Sequence, residues 1–179
     1  MLPPAAGRQY IDAALRRIDE LTPEIDALRT QLADFARRQA GCRALQAHYG
    51  IGWLCAAIIW AETGDARRFT SSDQLVRYAG LDVTVYSSDS KRSPGHLSRQ
   101  GSPELRCAAF EAAKCAARRG SPDYAYYREP AAKRDGHNGK NPTLAVERKI
   151  LRRCHHTPRD LGDAALALPD TRPQQEVAA

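Results

Sequence analysis

Leu45-Gln46-Ala47-His48-Tyr49-Gly50-Ile51-Gly52-Trp53-Leu54-Cys55-Ala56-Ala57-Ile58-Ile59-Trp60 is the stretch on which the fold turns. A short helix meets a Gly-Ile-Gly turn, and an apolar, alanine-rich helix then runs towards Gly64. This is the pattern of a helix-hairpin-helix over residues 45–62. Two glycines allow a tight turn and a close approach to a ligand without Cβ obstruction. The amides that open the second helix would face outward, where the helix dipole favours a phosphate. Such a motif holds nucleic-acid backbone rather than base edges, which makes Gly50, Ile51 and Gly52 candidate DNA-binding positions. A G-x-G between two helices can also be a tight corner between helices and nothing more.

Upstream, residues 8–40 read as one long amphipathic helix or two abutting ones. Ile11, Leu15, Ile18, Leu21, Ile25, Leu28, Leu32 and Phe35 recur at coiled-coil spacing, with one irregular step at Leu21. Thr22 and Pro23 beside that step could cap and restart a second helix. Such a seam wants a partner helix, either within its own domain or in a second copy through residues 8–40. Downstream, a Ser71/Ser72 cap opens a helix that stops at Gly80. Leu81 to Tyr86 alternates as a short extended segment. A polar, basic, Gly- and Ser-containing loop follows over 86–101. Ser102-Pro103-Glu104, Ser121-Pro122-Asp123 and Asn141-Pro142-Thr143 each read as a helix start. The expected fold is mainly α: a coiled-coil-like helix over 8–40, then a small helical domain over 41–157. Residues 1–7 and 158–179 have no sustained period and are expected to be disordered.

The chain has 179 residues and a formal charge of +6. Residues 87–160 hold sixteen Lys/Arg against eight acids, so the excess lies in one block. A localised basic block is the usual footprint of a phosphate-bearing partner, although a solvated basic face is the plain alternative. No apolar run is long enough to cross a membrane, so no membrane partner is expected. The N-terminus lacks signal-peptide character. Five cysteines without a C-x-x-C pair argue against a disulfide scaffold or a zinc ribbon and make the cytoplasm the default compartment. Cys154-His155-His156 could meet a metal, but adjacent helical residues point in different directions, and no metal site is expected. Tyr124, Tyr126 and Tyr127 beside Arg128 offer stacking surfaces.

The run from Leu45 to about Arg153 resembles the C-terminal domain of the DEDD-type, bridge-RNA-guided insertion-sequence transposases. The resemblance rests on Gly50-Ile51-Gly52, Glu62-Thr63-Gly64-Asp65 with Arg68-Phe69, and Gln74 to Leu81. It continues through Val85-Tyr86-Ser87-Ser88, His96 to Gly101, Leu105-Arg106, Tyr126-Tyr127 and Ala145 to Leu151 with Arg148-Lys149. The resemblance implies DNA as partner, with a guide RNA as a further possibility. It also implies a loop serine that attacks a DNA phosphodiester and conserves the bond energy in a covalent link. Ser88 takes that position, with Ser87 the alternative if the alignment shifts by one. Asp89-Ser90 replaces the family's Gly-Gly before Lys91. Lys91, Arg92, Arg99 and Arg106 suit phosphate contact, and His96 is a candidate proton shuttle. The family's carboxylate domain, which holds divalent metal, is expected to be absent. No cofactor is therefore expected in this chain, and Mg²⁺ only with the missing domain. The alternatives are a non-catalytic nucleic-acid-binding remnant and a basic helical oligomerisation module.

Overall fold

The computed structural model describes residues 5–82, 87–88, 91–92, 97–133 and 140–169. The fold is mainly α, as the sequence led one to expect. Seven α-helices occur among these residues: α1 (Ala5–Arg38), α2 (Ala40–Gln46), α3 (Trp53–Thr63), α4 (Ser72–Tyr78), α5 (Pro103–Lys114), α6 (Tyr124–Lys133) and α7 (Lys140–Leu161). Three short 3-10 turns and two two-residue strands, β1 (Ser87–Ser88) and β2 (Lys91–Arg92), complete them. His96 and residues 170–179 lie outside the described residues, so the expectations placed on them go no further.

Helix α1 is continuous through Pro23 over 34 residues, so the helix does not restart there. Continuity gives one heptad register: Ile11, Ile18, Ile25 and Leu32 at a, with Ala14, Leu21, Leu28 and Phe35 at d. The irregular step at Leu21 dissolves, because Leu15 falls at e. Pro23 falls at the outer f position. The seam stays uncovered: Ile11, Ile18, Ile25 and Leu28 are 51%, 59%, 46% and 58% exposed. Only the end of α1 joins the core, where Phe35 packs on Trp60 at 5.2 Å between ring centroids and Ala36 is fully buried.

The core forms around α5, which packs against α3 on one side and α7 on the other. Ala108, Ala109, Ala112, Ala113 and Ala116 line it, and Leu45, Ile59, Leu75, Leu105 and Leu151 fill the space between the helices. Small residues on α5 let its neighbours approach closely, while each buried leucine contributes about 1.5–3 kcal/mol. Gly50 belongs to this packing. Its φ is +87°, and a Cβ there would sit 2.6 Å from the Ala112 carbonyl oxygen.

Residues 158–169 differ from the expectation of disorder. Helix α7 runs past Pro158 to Leu161, and a 3-10 turn follows over Gly162–Ala165. Tertiary contacts hold this segment where local pattern could not. The Ala165 carbonyl accepts from Gln39 Nε2 at 2.6 Å and from Trp60 Nε1 at 2.7 Å, and Arg67 pairs with Asp163 at 2.9 Å.

Candidate nucleic-acid interface

The serine segment grows from the end of α4. Gly80 ends that helix, and Leu81 and Asp82 lead towards β1. The strands pair antiparallel with Ser88 opposite Lys91 and Ser87 opposite Arg92. The chain returns through Leu97 and Ser98, where the Ser98 amide donates to the Asp82 carbonyl at 3.0 Å and the Ser98 hydroxyl bonds the Asp82 carboxylate. Both ends of the intervening segment are therefore tied at one point. Arg148 on α7 fastens the same root, its Nε donating to the Leu81 carbonyl at 2.7 Å.

The returning segment over 97–101 presses on the end of α4. A Cβ on Gly101 would meet the Tyr78 carbonyl oxygen at 2.0 Å, so no other residue fits there without displacing the loop. The Arg99 amide donates to the Gly80 carbonyl at 3.0 Å. Arg99 holds φ +52° and is the only non-glycine residue with positive φ among the described residues. Such a conformation costs an arginine about 1–2 kcal/mol. Arg106, expected on DNA, donates to the Ala79 and Gly101 carbonyls at 3.1 and 3.0 Å. It therefore stitches the loop to the helix. The Gly-Ile-Gly turn lies elsewhere on α5, against Ala112, about 9 Å along the helix from Arg106. Ile51 is buried, whereas nothing lies within 4 Å of a Cβ built on Gly52, which opens α3.

A cleft of about 260 Å³ opens at the root of the serine segment, lined by Asp73, Val76, Arg77, Asp82, Arg148 and Arg152. Arg152 pairs with Asp73 at 2.8 Å. The sequence reading missed this site. Arg148 stood in the resemblance without a role, and Asp82 lies 66 positions before it. The one local signal is the spacing of Arg148 and Arg152, one turn apart on α7.

Much of the basic block is engaged within the fold. Asp123 is buried and receives Arg153 at 2.7 Å through both terminal nitrogens and Lys149 at 2.9 Å. The Arg153 hydrogen bonds, with help from Lys149, hold its carboxyl below the usual range. Lys114 pairs with Glu111. Arg99, Arg118, Arg119, Arg128 and Arg159 remain exposed, without an ion pair among the described residues. Glu147 is 7% exposed, and burial pushes its carboxyl up to about 7. Tyr127 packs against the core, while Tyr126 lies under the Lys149 ammonium at 4.5 Å.

Cys154 is fully buried, and burial pushes its thiol up to about 12. His155 Nε2 lies 3.2 Å from the Phe69 carbonyl oxygen. Among the described residues no group of three or more His, Cys, Asp or Glu could hold a metal ion. No helix among them is long and apolar enough to cross a membrane.

Residues 42–128 match the family described as Transposase IS116/IS110/IS902. A "Probable family 20 transposase" of Pseudomonas aeruginosa is 29% identical over 115 residues, 64% of this chain and 34% of the relative. The "Transposase for insertion sequence element IS1111A" of Coxiella burnetii is 30% identical over 84 residues, 47% of this chain and 23% of the relative. The chain thus spans 34% and 23% of the length of these two curated relatives.

Proposed function

We propose, for a chain whose residues 42–128 match the IS116/IS110/IS902 transposase family, that it handles DNA in transposition, with Ser88 the nucleophile. The observation that carries this reading is the register of β1 and β2, which sets Ser88 opposite Lys91 in the matched segment. A cation beside a serine suits the charge that builds on a phosphodiester under attack. In the step, Ser88 Oγ bonds to phosphorus and the ester bond to the leaving strand end breaks. The departing oxygen gains a proton as the serine hydroxyl loses one. Arg99 and Arg92 serve as phosphate contacts, and Ser87 is the alternative nucleophile. Among the described residues no group of three or more His, Cys, Asp or Glu could hold a metal ion. Mg²⁺ belongs with a carboxylate-bearing domain, and a guide RNA with the assembled recombinase.

Self-association through α1 completes the proposal. Ile at a with Leu at d favours a parallel two-stranded coil. In that arrangement Glu24 at g meets Arg29 at e of the second copy. Both copies then carry their serine segments at the same end of the coil.

The test is covalent trapping on DNA with a compatible carboxylate domain and Mg²⁺ supplied. A denaturant-resistant adduct that Ser88→Ala abolishes, with DNA binding retained, supports the reading. An adduct lost only in Ser87→Ala moves the nucleophile by one position. Asp89, an acid where the phosphate approaches, favours a second reading as a non-catalytic DNA-binding module. DNA binding with no adduct under any condition selects that reading.

A further inference from the structure

The geometry points to a phosphodiester-binding subsite in the cleft formed by Arg77, Arg148 and Arg152, which seats a DNA backbone phosphate beside the serine segment. This inference rests on the DNA-handling reading above and deepens it. Three features of the cleft lead to it.

The first is an unmet donor. Arg148 Nε is held by the Leu81 carbonyl, which fixes the guanidinium plane, yet one terminal nitrogen of Arg148 is buried without a hydrogen-bond partner. A buried N–H without an acceptor is costly and calls for an explanation. A guanidinium fork fits two phosphate oxygens, so an anionic ligand would remove the deficit.

The second is charge. Asp73 is occupied by Arg152, and Asp82 accepts the Ser98 hydroxyl. Arg77 is exposed on the last turn of α4 with no ion pair among the described residues. Three guanidinium groups against two carboxylates leave one positive charge, which matches one phosphodiester.

The third is position. Asp82 lines the cleft and is also the point where the two ends of the serine segment are tied. Ser87 follows five residues later, within about 17 Å of chain. At about 260 Å³ the cleft is smaller than the roughly 300–1,000 Å³ usual for small-molecule sites. It suits a phosphate and its sugar. Such a contact positions a strand without reading its sequence.

The test measures binding of the full chain to labelled duplex DNA by fluorescence anisotropy over a salt series. Arg77→Ala removes a side chain that holds nothing else in place. Arg16→Ala, an exposed position on α1, removes the same charge far from the cleft. Arg77→Ala is expected to weaken DNA binding about fivefold and to flatten the salt slope by about one, with Arg16→Ala within twofold of the unmodified chain. A single methylphosphonate linkage in the DNA should weaken binding to the unmodified chain and leave Arg77→Ala unaffected.

Equal effects of the two substitutions overturn the cleft and leave the DNA reading standing. An Arg77→Ala effect on RNA of the same sequence, absent on DNA, overturns DNA as the occupant. A third result is no duplex binding, with inorganic phosphate raising the melting temperature of the unmodified chain but not of Arg77→Ala. The DNA reading then fails and the occupant is free phosphate. Absence of both responses overturns the DNA reading and the subsite together.

Discussion

The side-chain amide of Gln39 donates to the carbonyl of Ala165 at 2.6 Å, joining residues 126 positions apart. The same side chain accepts from the Cys42 amide at 2.7 Å and so caps α2. Gln39 is fully buried, and both ends of its amide are used. Gln39→Leu keeps the volume and removes both bonds. A loss of about 2–3 kcal/mol is expected in urea unfolding, from a lost cap and an unpaired amide. A chain ending at Thr157 should lose at least as much, because Trp60 then also lacks its acceptor. Equal midpoints for the shortened and full chains would show that the 158–169 segment contributes nothing.

Glu147 gives the fold a pH dependence of unusual sign. Its folded carboxyl titrates at about 7, against an ordinary value of 4.5, because burial disfavours the charge. Below pH 4.5 both folded and unfolded forms are protonated, and no stability is lost. As pH rises towards 7 only the unfolded chain ionises, so stability falls by about 3 kcal/mol and then levels. Glu147→Gln should equal the unmodified chain near pH 4 and exceed it at pH 8. A difference that does not change with pH would remove Glu147 as its source.

Asp123 acts in the opposite direction. Its carboxyl is held below the usual range by Arg153 and then Lys149. Its stabilisation is present above the ordinary carboxylate value and is lost as pH falls through the depressed folded value. Asp123→Asn should therefore be destabilising at pH 7, by about 3 kcal/mol for a broken buried pair. The gap from the unmodified chain should narrow in acid, as followed by denaturant titration at several pH values.

Arg99 in the left-handed region separates stability from function. Arg99→Gly is expected to raise stability by about 1 kcal/mol, since glycine adopts φ +52° freely. DNA affinity should fall at the same time, because the proposed phosphate contact of Arg99 is gone. Thermal unfolding and anisotropy on the same preparation check both directions. A drop in stability would mean that the side chain packs the loop.

The seam of α1 gives a mass measurement. Light scattering on the full chain should report a dimer, and Ile18→Asp with Ile25→Asp should report a monomer with unchanged melting of the core. Both positions are exposed in the single chain, so the substitutions cannot disturb its own packing. A monomer in both cases overturns the parallel coil.

Sequence by itself determined the helical class and most element starts. Ser102 accepts the Leu105 amide at 3.0 Å and caps α5 where its cap-and-proline signal places it, whereas Ser121 accepts the Asp123 amide at 3.1 Å in a turn ahead of α6, which starts at Tyr124. Caps and heptads are local, so a few neighbouring residues suffice to specify them. The Leu81–Arg148 and Gln39–Ala165 bonds join residues 67 and 126 apart. No period or spacing announces such pairs, since they exist only once α5 has drawn α3 and α7 together. The same packing decided that Gly50 faces the Ala112 carbonyl, that Arg106 holds two carbonyls, and that three arginines share one cleft. A side chain's partners depend on which helices meet, and the burial of apolar surface across the whole chain sets that choice.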